Sequence, residues 1–301
     1  MRRFYGAAAF FLLCVCAVAA PIDRLALVTR HNVVLTNFDA ANPLSVGNGG
    51  FCFTVDATGL QTFPEAFEKT TPLGTLSDWG WHTFPNPNGW SIDTFHFREF
   101  PDLHGRLVPY ADAPGKKLTP EMQWLREDPH RLDLGQIGFV LKHADGSPAT
   151  PNDLTDARQE LDLWDGRIIS RFNFDDVQVV AETLCDPKLD AIAVHVVSPL
   201  IRQGRLAIRI RFPYGTGDAK TADWSKPEAH ETILHQPDSN HADFYRKLDG
   251  EEYFAAASWS GGAVITNTVK HEFQIVPSQK TDRLDPNNRH SQKKHTCSIL
   301  Y

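Results

Sequence analysis

The chain has 301 residues, 30 basic against 37 acidic, for a formal net charge of −7, and five cysteines. That acidic balance argues against nucleic acid or an anionic membrane surface as partner. The cysteines are too few for a disulfide-stapled scaffold, no Cys-x-x-Cys or His-x-x-x-His spacing suggests metal, and neither metal nor cofactor is expected.

Residues 1–19 read as a secretion signal. Arg2 and Arg3 supply the positive start, Ala7 to Val18 an apolar core too short to span a bilayer, and Ala17-Val18-Ala19 a small-x-small cleavage site. Cleavage after Ala19 predicts a secreted or periplasmic protein and removes Cys14 and Cys16. Cys52, Cys185 and Cys297 remain, so at most one pair can close internally. No later segment approaches the roughly 20 apolar residues of a membrane helix.

From Leu25 to Phe63 short β-like runs alternate with Asn, Gly and Asp: Asn32–Thr36, Phe51–Val55 and Leu60–Phe63. Pro64 to Pro129 is rich in Pro, Gly, Trp and His and has little periodicity, with a possible strand at Ser91–Phe97. A helix is expected at Thr119–Arg126, where Thr119 can cap, Pro120 suits the first turn and Glu121 favours the positive helix end. Strands follow at Gln136–Lys142, Ala157–Trp164, Arg167–Phe174, Val177–Leu184, Ala191–Val197 and Arg205–Phe212. Turn residues such as Asp165-Gly166 and Asp175-Asp176 separate them.

Pro213 to Asp249 is polar and reads as a long connection, before final strands at Tyr253–Trp259, Ala263–Asn267 and Glu272–Val276. Period-two alternation with frequent turns is the pattern of an antiparallel sandwich. The predicted fold is all-β, an antiparallel super-sandwich over residues 20–277. From Ser278 to Tyr301 the apolar pattern stops, and five basic residues face two acidic ones. This tail reads as a disordered terminus, as a basic interaction arm, or as residues coded after an interrupted frame.

The densest chemistry lies in Ser77-Asp-Trp-Gly-Trp-His-Thr-Phe-Pro-Asn-Pro-Asn-Gly-Trp90. Trp79, Trp81, His82, Asn86 and Trp90 bring flat rings that stack on sugars and polar edges that bond hydroxyls. The same tryptophans could equally plug the end of the sandwich or bury against a neighbouring domain. Acidic neighbours such as Asp175-Asp176 and Glu251-Glu252 lack the separation a glycosidase pair needs. His241 near Asp238 and Asp243 is ordinary loop composition, and no nucleophile motif is present, so no catalytic residue is assigned.

The stretch Asn42-Pro-Leu-Ser-Val-Gly-Asn-Gly-Gly-Phe51 resembles the opening of the N-terminal β-sandwich in six-hairpin (α/α) barrel glycosidases and phosphorylases, such as the maltose phosphorylase and α-L-fucosidase families. Relatives carry a similar Trp-Gly-Trp-His loop and a hairpin like Leu161-Asp-Leu-Trp-Asp-Gly166. The resemblance implies a galactose-mutarotase-like sandwich whose aromatic loop borders the pocket of a following barrel, where the catalytic carboxylates lie. No such barrel is expected within these residues. The implied partners are therefore an oligosaccharide or polysaccharide and a C-terminal (α/α) barrel, and the chain alone is expected to be inactive. The alternative is a stand-alone carbohydrate-binding module using the aromatic loop.

Overall fold

The computed structural model describes residues 21–110, 118–278 and 295–300; the expected signal peptide and residues 279–294 of the tail lie outside them. Helix α1 (Arg24–Thr29) leads to β1 (Val33–Leu35), β2 (Leu44–Gly47), β3 (Phe51–Val55), β4 (Thr75–Ser77), β5 (Trp81–His82), β6 (Arg98–Pro101) and β7 (Leu107–Tyr110). Helix α2 (Pro120–Glu127) precedes β8 (His130–Arg131), β9 (Gln136–Leu141), β10 (Leu154–Asp162), β11 (Arg167–Phe174), β12 (Val177–Cys185) and β13 (Ala191–Val197). After α3 (Pro199–Arg202) come β14 (Leu206–Arg211), β15 (His230–Asp238), β16 (His241–Leu248), β17 (Glu251–Trp259), β18 (Ala263–Val269), β19 (Glu272–Pro277) and β20 (His295–Leu300).

The architecture is an all-β sandwich with antiparallel pairing. A nine-stranded sheet runs β1-β10-β11-β12-β13-β20-β17-β16-β15, and a four-stranded sheet runs β18-β19-β14-β9. Strands β2-β3-β4 form a third sheet, and β5-β8 and β6-β7 are two-stranded. The period of two explains the layering: along β11 every second residue is buried, ending with Phe172 and Phe174. These side chains share one cluster with Val179 of β12, Val194 of β13, Phe139 of β9, Ile210 of β14, Phe273 of β19 and Phe53 of β3. Burial of each large apolar side chain contributes roughly 1.5–3 kcal/mol.

Local chemistry agrees with several expectations. Asp175 and Asp176 both adopt left-handed backbone (φ 48 and 58) in the tight β11–β12 hairpin. At the start of α2 the Thr119 hydroxyl accepts from the Met122 amide at 3.2 Å.

Three expectations are corrected. Leu60–Phe63 is a buried loop instead of a strand. It caps the free edge of β9 partly with side chains: Gln61 Oε1 accepts from the Ile137 amide at 3.0 Å and Thr62 Oγ1 from Phe139 at 3.1 Å. Ser91–Phe97 contains no strand, and the pairing begins at β6. The polar stretch Pro213–Asp249 contains the long hairpin β15–β16. Its inward positions on β16 are Ala242, Phe244, Arg246 and Leu248, so an arginine in the core breaks the apolar alternation. Within the tail, His295–Leu300 forms β20 between β13 and β17.

Candidate functional site

The aromatic loop leaves the end of β4, passes through β5 and is tied by it to β8. Trp79 is 45% exposed and Trp81 43%. The polar edge of each indole has a fixed partner: Trp79 Nε1 donates to Asp190 Oδ2 at 2.6 Å, and Trp81 Nε1 to the Asp78 carbonyl at 2.9 Å. Behind Trp79 lies Tyr253, ring centroids 6.1 Å apart. The Arg131 guanidinium sits 4.0 Å over the Trp81 ring while donating to the carbonyls of Ser77 and Asp78 at 2.7 and 3.0 Å. A cation over an indole face holds the ring by electrostatic attraction to its quadrupole. Both rings are thus held in place and present apolar surface to solvent.

Of the other three loop residues, Asn86 and Trp90 are half-buried and His82 is buried. Asn86 closes the loop on itself: its amide donates to the Trp90 carbonyl at 2.6 Å, and its oxygen accepts from the Trp90 amide at 2.9 Å. Trp90 is half-buried, 6.4 Å from the Trp124 ring. His82 is fully buried.

The surroundings of His82 come from distant segments. Its Nδ1 lies 3.0 Å from His130 Nε2 and its Nε2 lies 2.9 Å from Asp249 Oδ2. Tyr214 donates its hydroxyl to the same Asp249 oxygen at 2.6 Å, and Glu251 Oε2 is 4.0 Å from His82 Nε2. His130 Nδ1 faces the Glu127 carbonyl at 2.7 Å, with Asp128 Oδ1 3.6 Å away. Burial raises the Asp128 carboxyl above its ordinary range and lowers His130, in each case as the leading cause. Burial and then the Asp249 bond push the Tyr214 hydroxyl up strongly. Gly215 runs so close that a Cβ there would lie 2.5 Å from His82 Nδ1.

The Gly-Asn-Gly hairpin also reaches this site. Asn48 Oδ1 accepts from the amides of Gly50 and Phe51 at 3.0 and 2.9 Å. Its Nδ2 donates to the carbonyls of Asp186 and Leu189 at 3.2 and 3.1 Å. It therefore pins the 186–190 loop, whose Asp190 holds Trp79 and also accepts from the Ser77 hydroxyl at 2.6 Å. Reasoning along the sequence missed Asp190, Arg131, His130, Tyr214 and Asp249, because nothing in their local patterning marks them.

His241 and Asp238 form an exposed pair at 3.8 Å, as do His235 and Asp243 at 3.3 Å. Among the described residues no three His, Cys, Asp or Glu are arranged to hold a metal ion. Cys52 and Cys185 are free thiols, and burial pushes Cys185 up to about 11.

No protein-family model matches this chain, and neither does any curated protein. Among solved structures it is similar to one described as a kojibiose phosphorylase from human microbiome. The TM-score is 0.49 and the identity 10%, over 89% of this chain and 32% of that one. This chain thus spans about a third of that structure's length.

Proposed function

We propose that this chain is the sandwich domain of an exported carbohydrate-active enzyme of the six-hairpin type. Trp79 and Trp81 form its contact with a catalytic (α/α) barrel, and turnover rests with that barrel. The observation that carries this reading is the pair of half-exposed tryptophans whose polar edges are already bonded to Asp190 and Asp78. Rings fixed in this way lose little conformational freedom on binding and offer apolar surface to a partner. The Asn-Pro-Leu-Ser-Val-Gly-Asn-Gly motif supports the family assignment, since Asn48 ties the hairpin to the loop behind Trp79. The test is turnover of a broad panel of disaccharides by the purified chain, with and without inorganic phosphate. No turnover is expected, and turnover would overturn the placing of catalysis outside this domain.

A second reading is direct sugar stacking on Trp79 and Trp81, favoured by their outward ring faces. It requires quenching or a shift of tryptophan emission on titration with oligosaccharides, lost in Trp79→Ala and Trp81→Ala. A flat titration across the panel leaves the barrel-facing reading in place.

A further inference from the structure

The hydrogen-bond chain behind Trp81 contains one contact too many for two neutral histidines. A backbone carbonyl only accepts, so the 2.7 Å contact to Glu127 requires a proton on His130 Nδ1. One proton must lie between His130 Nε2 and His82 Nδ1, 3.0 Å apart. Another must lie between His82 Nε2 and Asp249 Oδ2, 2.9 Å apart. Two neutral rings beside a carboxylate supply only two of these three. Tyr214 cannot contribute the third, because its hydroxyl proton is engaged with the same Asp249 oxygen.

The charges around the pair favour the extra proton. Asp249 faces His82 from the β16–β17 turn, and Glu251 of β17 approaches it at 4.0 Å. Asp128, at the end of α2, lies 3.6 Å from His130 Nδ1. Asp128 Oδ2 and Glu251 Oε2 are buried oxygens without a hydrogen-bond partner. On the far side of Tyr214, Lys226 is 5.5 Å from the ring and is paired with Asp223 at 3.2 Å. His230 stacks on Tyr214, and its Nδ1 faces Arg246, which requires it to be unprotonated there. Arg131, next to His130, is turned away to Trp81. With two protons the His82–His130–Asp249 unit carries net negative charge among further carboxylates, and with three it is neutral; burial of the His130 ring opposes its charge, while Asp128 and Glu127 beside it favour the proton.

We propose that His82 and His130 share a third ring proton held against Asp249, and that this proton latches the two-residue strand bearing Trp81 to the body of the sandwich. Its loss leaves an acceptor facing an acceptor at the His82–Asp249 contact, and frees β5 from the β16–β17 turn. The latch is independent of what Trp81 binds.

Nitrogen-15 NMR of the histidine rings near neutral pH tests the count. Three ring N–H protons on the pair are expected; two would overturn the proposal. Asp249→Asn is the matched variant, because an amide nitrogen at the Oδ2 position can donate one proton to an unprotonated His82 Nε2 and the other to the Tyr214 oxygen. It should reduce the count to two without unfolding the protein, and retention of three would remove Asp249 from the arrangement. Amide exchange at Trp81 and His82, referenced to β11, tests the latch. Where the third proton titrates, their exchange should rise about tenfold beyond the ordinary pH dependence in the wild type and not in Asp249→Asn. Exchange that ignores its loss would overturn the latch.

Discussion

Trp79 and Asp190, 111 positions apart in the chain, are joined by a 2.6 Å hydrogen bond from the indole nitrogen to the carboxylate. The same oxygen accepts from Ser77, so one side chain of the β12–β13 loop fixes both the strand end and the first exposed tryptophan. Asp190→Ala should free the ring without removing it. Loss of two bonds to a partly exposed carboxylate is expected to cost about 1–2 kcal/mol. Acrylamide quenching should rise, and emission should shift to the red.

Acid should stabilise the sandwich through two buried carboxyls. Burial pushes Asp133 up to about 7 and Asp56 to about 6, from an ordinary value of 3.8. Both are favoured protonated in the folded state. Their contribution is therefore full below the unfolded value near 4 and is lost as pH rises through 6 to 7. Asp133 accepts from Gly135 and Thr75 through Oδ1 while Oδ2 is unpartnered. Asp133→Asn keeps the accepting oxygen and removes the charge, so it should gain roughly 1–3 kcal/mol over the wild type at pH 8 and nothing at pH 4. His230, lowered to about 3 by burial and then by Arg246, acts in the opposite sense, its contribution fading below pH 6.5. The difference between variant and wild type across a series of melts isolates Asp133.

Gly138 lies against the loop that caps β9. A Cβ there would stand 2.4 Å from the Gln61 carbonyl oxygen, a backbone atom in a buried contact. Gly138→Ala should destabilise by about 2–3 kcal/mol. Gly250→Ala meets nothing within 4 Å and should be nearly neutral. Denaturant midpoints compare the two.

Arg246 is fully buried, and its hydrogen-bond partners are neutral: the carbonyls of Glu231 and Pro213, the hydroxyls of Thr232 and Tyr253, and His230 Nδ1. Arg246→Met keeps the aliphatic volume but leaves those buried acceptors unpaired, which is expected to cost about 3 kcal/mol or more. His230 should become easier to protonate, because a neighbouring cation is gone. Histidine NMR titration follows that shift directly.

Strand content and order were legible in the sequence wherever a strand buries one face. Ile168, Phe172 and Phe174 on β11 alternate with half-exposed residues, and Asp175-Asp176 marks the turn by its own backbone preference. The start of α2 was equally plain from Thr119 and Pro120. These signals are local, set by backbone preference and by which side of a strand meets water. The hairpin β15–β16 was hidden because Arg246 occupies a core position, tolerable only once partners from several segments satisfy every donor. Composition identified the aromatic loop as one unit. Folding alone divided it, leaving Trp79 and Trp81 open, turning Asn86 onto Trp90 and burying His82 against His130 and Asp249. Those partners lie 48 and 167 positions away from His82. Sheet packing, which no local pattern encodes, brings them together, and through its hydrogen bonds it decides which of the loop's side chains face solvent.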